Sequence, residues 1–139
     1  MQKRYYFDTS IWRDFYENRT DRFRPLGEWA FELFKKIIRE KSVVLYSDVV
    51  VEELLLYYSQ EEIGRIFNIV EIKGLLEIVP ISHEQKREAH SLKNQLNIPF
   101  ADCLHAILAR DNSAIMVARD HHFELLREIT ESKKPEELL

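Results

Sequence analysis

The sequence predicts an α/β fold, a three-layer α/β/α sandwich around a parallel sheet of four or five strands. Short runs rich in β-branched and aromatic residues alternate with longer stretches whose apolar residues recur at helical spacing. That alternation is the mark of repeated βαβ units with helices on both faces of the sheet. Nothing interrupts it: there is no internal repeat, no low-complexity tract and no linker, and only three glycines occur, so hinges are scarce. With 45% hydrophobic and 32% charged residues, the chain suits a globular protein rather than a disordered one. Residues 1–139 are therefore expected to form a single domain with a sizeable core.

The elements follow in order. Arg4 to Asp8 reads as the first strand. Thr9 to Asn18 suits a short helix with Ile11, Trp12, Phe15 and Tyr16 on its apolar face. Residues 19–25 are polar, contain Pro25 and read as a loop. Leu26 to Glu40 is amphipathic, with Leu26, Trp29, Ala30, Leu33, Phe34, Ile37 and Ile38 at helical spacing. Ser42 to Tyr46 is β-rich. Ser47 or Asp48 can cap a helix running to about Tyr58, and Glu61 to about Glu71 suits another. Leu76 to Pro80 reads as the third strand. Ser82 can cap a helix to about Leu96, and Pro99 fits the first turn of a helix through Ala109. Ala114 to Ala118 is the fourth strand. Phe123 to Ile129 reads as helical, and a short fifth strand is expected before Pro135.

Several function classes are disfavoured. No apolar run approaches the roughly 20 residues of a membrane-spanning helix, and the start, interrupted by Asp8, does not read as a secretory leader. The expected location is the cytoplasm. The single Cys103 excludes an internal disulfide. A Cys103–His105 nucleophilic pair is disfavoured because positions two apart on a helix face in opposite directions, which leaves Cys103 as a packing residue. A formal net charge of −4 weighs modestly against a nucleic-acid partner. A carboxylate metal site brings that negative charge with it, however, and bound cations would invert the local field. No GxxxxGK[ST], GxGxxG or GxSxG pattern occurs, and the adjacent pair His121-His122 reads as a solvated helix start.

Ligands in parallel sheets bind beyond the carboxyl ends of the strands, and four acids map to that edge. Asp8 ends the first strand and Asp120 the fourth; each reads either as a helix cap or as a ligand. Glu53 has Val49, Val50, Leu56 and Tyr57 at helical neighbour positions, so it reads as a buried carboxylate in need of a partner, whereas Glu52 shares a face with Asp48. Asp102 suits either a first-turn acid facing the helix dipole or a ligand held over the strand ends. Its face continues through His105, Ala106 and Ala109, and His105 reads as a packed residue or a hydrogen-bonding support. Hard oxygen donors without cysteine pairs suit Mg²⁺ or Mn²⁺, which support phosphodiester hydrolysis.

On these residues the sequence resembles the PIN-domain family, especially the small VapC-type toxins. The matching motifs are Phe7-Asp8-Thr9-Ser10, Ser47 through Glu53-Leu54, Phe100 through Ala106, and Val117-Ala118-Arg119-Asp120 through Phe123. The resemblance implies a five-stranded parallel sheet and Mg²⁺- or Mn²⁺-dependent RNA cleavage. It also implies frequent homodimers and, for toxins, a cognate antitoxin. Asp8, Glu53, Asp102 and Asp120 are then the acidic catalytic and metal-binding site, with Thr9, Ser10 and His105 beside it. Two departures stand out: Ala118 replaces a frequent Thr or Ser, which weakens the expected hold on Asp120, and Ser10 replaces a frequent Asn. The alternatives are a housekeeping RNA-processing nuclease, or a non-catalytic module of the same fold that binds RNA or protein. The aromatic segment from Trp12 to Phe34 reads either as core or as a dimer or antitoxin surface.

Overall fold

The structure, a computed structural model, describes residues 2–139. Arg4–Phe7 forms β1, and its last three residues are buried, as expected of a strand covered on both faces. Val43–Tyr46 (β2) and Leu76–Ile78 (β3) add on one side of it; Ile115–Val117 (β4) and Ser132–Lys133 (β5) add on the other. All pairings are parallel, and the order is β3-β2-β1-β4-β5. The chain thus steps outward from β1 in one direction, then returns to its other side. The reversal lies between β1 and β4, and the crevice beyond their carboxyl ends is the natural ligand position of such a sheet.

Helices cover the sheet: α1 (Thr9–Glu17), α2 (Leu26–Glu40), α3 (Asp48–Leu54), α4 (Gln60–Glu71), α5 (His83–Leu96), α6 (Phe100–Asp111) and α7 (His122–Leu125), with a closing 3₁₀ turn at Pro135–Leu138. Aromatic rings lock α1 and α2 onto β1. Phe7, Trp12 and Phe34 lie 4.9–5.5 Å apart between ring centres, and Phe67 of α4 meets Trp12 edge-on at 4.7 Å. Most of the aromatic segment from Trp12 to Phe34 is therefore core or packed against it, leaving Phe31 and Phe23 exposed. Helix α6 is buried from Cys103 to Ala109. No helix among the described residues is long and apolar enough to cross a membrane.

Local chemistry explains where elements differ from the sequence reading. Ser59 begins α4 with a reciprocal capping box to Glu62, and Ser82 begins α5 in the same way with Gln85. The α3 helix stops at Leu54 rather than continuing to Tyr58, because the amides of Leu56 and Tyr57 bond three residues back, to Glu53 and Leu54. The second half of the stretch from Phe123 to Ile129 is turn rather than helix; the Ile129 amide bonds back to Leu126. Pro99 occupies the N-cap of α6 instead of its first turn. Ser47 sits at the N-cap of α3, but its hydroxyl makes no cap and meets Tyr6 instead.

Candidate active site

Asp8 leaves the end of β1 at the point of reversal. Its backbone N–H continues the sheet by bonding to the Val117 carbonyl at 2.9 Å. Although Asp8 occupies the N-cap of α1, its carboxylate accepts no cap hydrogen bond. The side chain is 9% exposed, and its Oδ2 accepts from the Ser10 hydroxyl at 2.7 Å. A backbone cap does not account for this burial.

Glu53 enters from α3. It is only half-buried, with a side chain 31% exposed. This corrects the sequence reading: Leu56 and Tyr57 lie beyond the end of the helix and are themselves exposed, so they cannot bury it. The partner it needed is present. Oε1 of Glu53 accepts from Thr9 Oγ1 at 2.7 Å and from His105 Nε2 at 2.6 Å. His105 is fully buried on α6, with its Nδ1 2.7 Å from the Tyr6 hydroxyl, which also lies 2.7 Å from Ser47 Oγ. A polar chain thus runs from Ser47 through Tyr6 and His105 to Glu53. It links β1, α6 and α3, with Ser47 at the junction of β2 and α3, and holds the imidazole in one orientation. The Nε2 of His105 is also 4.0 Å from Asp8 Oδ1.

Asp102, in the first turn of α6, accepts from His122 Nδ1 through Oδ2 at 2.8 Å. Asp120 follows β4, and its Oδ1 accepts from the His122 backbone N–H at 2.9 Å. At 41% exposure its side chain is the most open of the four acids. The imidazole of His122 lies 3.2 Å from Asp120 as well, so this residue bridges two acids instead of facing solvent. Exposed His121 fits the solvated reading, although Asp120, His121 and His122 bring one ligand-type atom each within 4.8 Å of one another. Next to Asp120 the chain is clamped by Arg119, which donates two hydrogen bonds of 2.8 Å to Glu136.

Charge ties the two groups together. Burial pushes Asp8 up to about 6, the neighbouring charges of Asp102 and Glu53 add to this, and His105 and Ser10 oppose it. Asp102 is also raised, by burial first and by Asp120, against the bond from His122. Burial acts upward on Glu53 too, but its bond from His105, that residue's charge and the bond from Thr9 outweigh it, so Glu53 lies below its ordinary value. Burial disfavours a charged His105, yet the Glu53 bond and three surrounding carboxylates hold its pKa above the usual imidazole value. Each of the four acids commits one oxygen to a donor. The other oxygen of each has no hydrogen-bond partner among the described residues. Asp8 feels the charges of Asp102 and Glu53, and Asp102 that of Asp120, so these hard donors repel one another in the way that favours a hard divalent cation. No three of the four acids, however, bring ligand atoms within 4.8 Å of one another among the described residues.

Tyr6, Ser47 and His122 escaped the sequence reading. Tyr6 looked like one more aromatic of a buried strand, and Ser47 looked like a cap. The signal for His122 was its position two residues after Asp120, where its own backbone N–H reaches that carboxylate. Cys103 is buried, and burial pushes its thiol up to about 11, which fits an inert packing residue.

The model of the PIN domain matches residues 5–129. Among solved structures, the chain is similar to one from VapBC2 of Rickettsia felis bound to a DNA fragment from their promoter. The TM-score is 0.65 at 16% identity, covering 94% of this chain and 98% of that one. It is also similar to a chain of FitAcB from Neisseria gonorrhoeae, with TM-score 0.56 and 15% identity over 94% and 96% of the two chains. Compared with curated protein sequences, the chain has no match.

Proposed function

Because the chain belongs to the PIN domain family, we propose that it is a divalent-metal-dependent ribonuclease in which Asp8, Glu53, Asp102 and Asp120 hold Mg²⁺ or Mn²⁺. The observation that carries this reading is the set of four carboxylates at the sheet reversal, each with one oxygen left without a protein donor. The donors fit such a cation: all are hard oxygens, and Asp8 and Asp102 sit where burial and like charge disfavour an uncompensated carboxylate. When bound, the metal would lower the pKa of a bound water, orient it, and neutralise charge on the scissile phosphate.

The chain's own residues prepare the site. Ser10 and Thr9 fix the carboxylates of Asp8 and Glu53. His105, oriented by Tyr6, places Glu53 and lies 4.0 Å from Asp8. His122 spaces Asp102 from Asp120. Asp120, the most exposed acid, is the weakest or outer member of the set. The protein further reads as a cytoplasmic single-domain toxin of a type II toxin–antitoxin pair, with RNA as substrate, a cognate antitoxin as partner, and a second copy of itself as a further partner. The likeness to chains of VapBC2 and FitAcB over nearly the full length supports this reading.

The test is cleavage of structured and single-stranded RNA, with and without Mn²⁺, by wild type and Asp8→Asn. Metal-dependent cleavage by wild type alone is expected. Undiminished cleavage in excess chelator, or equal cleavage by both proteins, would overturn the assignment.

A further inference from the structure

The loop between α1 and α2 carries an aromatic ring that the fold does not use. Of the eight phenylalanines, Phe7, Phe34, Phe67 and Phe123 are core, Phe15 and Phe100 pack against it, and Phe31 stacks on Phe15. Phe23 alone is fully exposed, with no aromatic partner among the described residues. It stands at the tip of a tight turn closed by two backbone hydrogen bonds between Asp21 and Arg24, at 3.0 and 2.8 Å. Both central residues are left-handed, Arg22 with φ 47° and Phe23 with φ 72°. Two-residue turns of this kind favour Asn-Gly, because a side chain at positive φ costs free energy. A bulky apolar ring placed in solvent on a strained backbone is unfavourable twice over, the kind of outlier that points to a function.

The turn is not a loose tip. Arg19 donates to Asp14 at 2.8 Å and to the Ser10 carbonyl at 3.3 Å, and its own carbonyl accepts from Gly27 at 2.9 Å. Gly27 permits this closeness, since a Cβ there would lie 2.4 Å from the Asn18 Cα. Anchored in this way, Thr20 and Asp21 border a shallow surface depression together with Ser10 and Asp120, while Arg22 and Phe23 stand outside it. The loop therefore lies with its base beside Asp120, the outermost of the four acids. It is also locally basic in a chain of net charge −4: Arg19, Arg22 and Arg24 stand against Asp21. Arg19 and Arg24 are paired with Asp14 and Asp21, while Arg22 has no ion pair among the described residues.

We propose that Phe23 is a stacking platform for an unpaired base of RNA entering the site, with Arg22 meeting the adjoining phosphate. The proposal rests on the ribonuclease reading. An aromatic ring flanked in sequence by guanidinium groups offers the two contacts a single strand presents, a base face and a backbone anion. A duplex, whose bases are already stacked, offers only the second.

The test measures binding in excess EDTA, where cleavage is suppressed, using labelled oligouridine, oligoadenosine and a fully paired RNA duplex. Phe23→Ala should weaken single-strand affinity about 5- to 100-fold and affect the duplex little. Phe23→Trp should keep the affinity, and its added indole fluorescence should be quenched by unlabelled single strands beyond any change in wild type. Phe23→Gly should bind as weakly as Phe23→Ala yet melt at a higher temperature, because glycine relieves the left-handed strain. The proposal is overturned by unchanged affinity in Phe23→Ala, by no quenching in Phe23→Trp, or by a lower melting temperature in Phe23→Gly. A change in self-association without a change in RNA affinity would assign the ring to a protein contact and overturn it equally. If wild type cleaves RNA with Mn²⁺ while the variants bind like wild type, the platform fails and the ribonuclease reading stands. If single strands quench Phe23→Trp but wild type shows no metal-dependent cleavage, the platform stands and the ribonuclease reading fails.

Discussion

Replacing Asp8 with Asn separates a metal-binding carboxylate from a structural one. Asparagine keeps the shape and can still accept the Ser10 hydrogen bond, but it cannot ionise. In the metal-free protein the Asp8 carboxyl rises from 3.8 to about 6. The folded state therefore holds the proton more tightly than the unfolded chain, and the sign follows. Well below the unfolded value of 3.8 both states are protonated and the stabilising contribution is fully present. It is lost as pH climbs through about 6. Such a rise corresponds to about 3 kcal/mol, at about 1.4 kcal/mol per tenfold change in proton affinity. Asp8→Asn removes this loss. In EDTA at about pH 7.5 it should be more stable than wild type by about 1–3 kcal/mol, or about 3–10 °C in melting temperature. Its stability should also vary less between about pH 4 and 6.5. With Mn²⁺ the order should reverse, since wild type gains about 2.7 kcal/mol at a hundredfold excess over its dissociation constant. Urea and thermal melts across this pH range, with and without Mn²⁺, measure both halves. A variant that is less stable than wild type in EDTA near neutral pH would refute the reasoning and make Asp8 a structural residue.

Three further outcomes are expected. RNA cleavage should stop in excess chelator and return with Mg²⁺ or Mn²⁺, read on well-purified protein; restoration by neither ion would count against the metal site. Glu53→Gln should weaken Mn²⁺ binding and nearly abolish cleavage, whereas Glu52→Gln, on the exposed side of α3, should change the rate less than about twofold because screened surface charge acts weakly. A more damaging Glu52→Gln would move the ligand assignment. Tyr6→Phe should cost about 1–3 kcal/mol by stranding the buried Ser47 hydroxyl and the His105 ring nitrogen, and should slow cleavage without abolishing it; urea denaturation and initial rates check the two effects.

The fold was legible because its strands and helices announce themselves by different means. Tyr5, Tyr6 and Phe7 form an unbroken apolar run, as a strand buried on both faces must. Leu33, Phe34 and Ile37 recur at helical spacing. Element ends were less legible. The termination of α3 at Leu54 depends on i to i+3 bonds that leave no clear mark in a stretch as apolar as Leu54-Leu55-Leu56. The exposed surface at Leu55, Leu56 and Tyr57 follows from that early stop, and helical periodicity gave no sign of it.

In the candidate site, the acids stood out by position and their supports did not. Asp8 and Asp120 follow strands, and strand order alone places them on either side of the reversal. What the sequence conceals is which neutral side chain turns toward them. Tyr6 is a core residue by burial and a polar one by its hydroxyl, and only the register that sets α6 against β1 brings His105 to it. The same holds for Ser47, whose hydroxyl leaves its expected cap for Tyr6. His105 was legible only as a histidine on the face of Asp102. Its contact is with Glu53, 52 residues earlier in the chain, so its role depends on packing among three elements. The acids thus follow from local sequence, but their fixed geometry arises from contacts distant in sequence. This is why Asp8→Asn should test the charge of the site while Tyr6→Phe tests its rigidity.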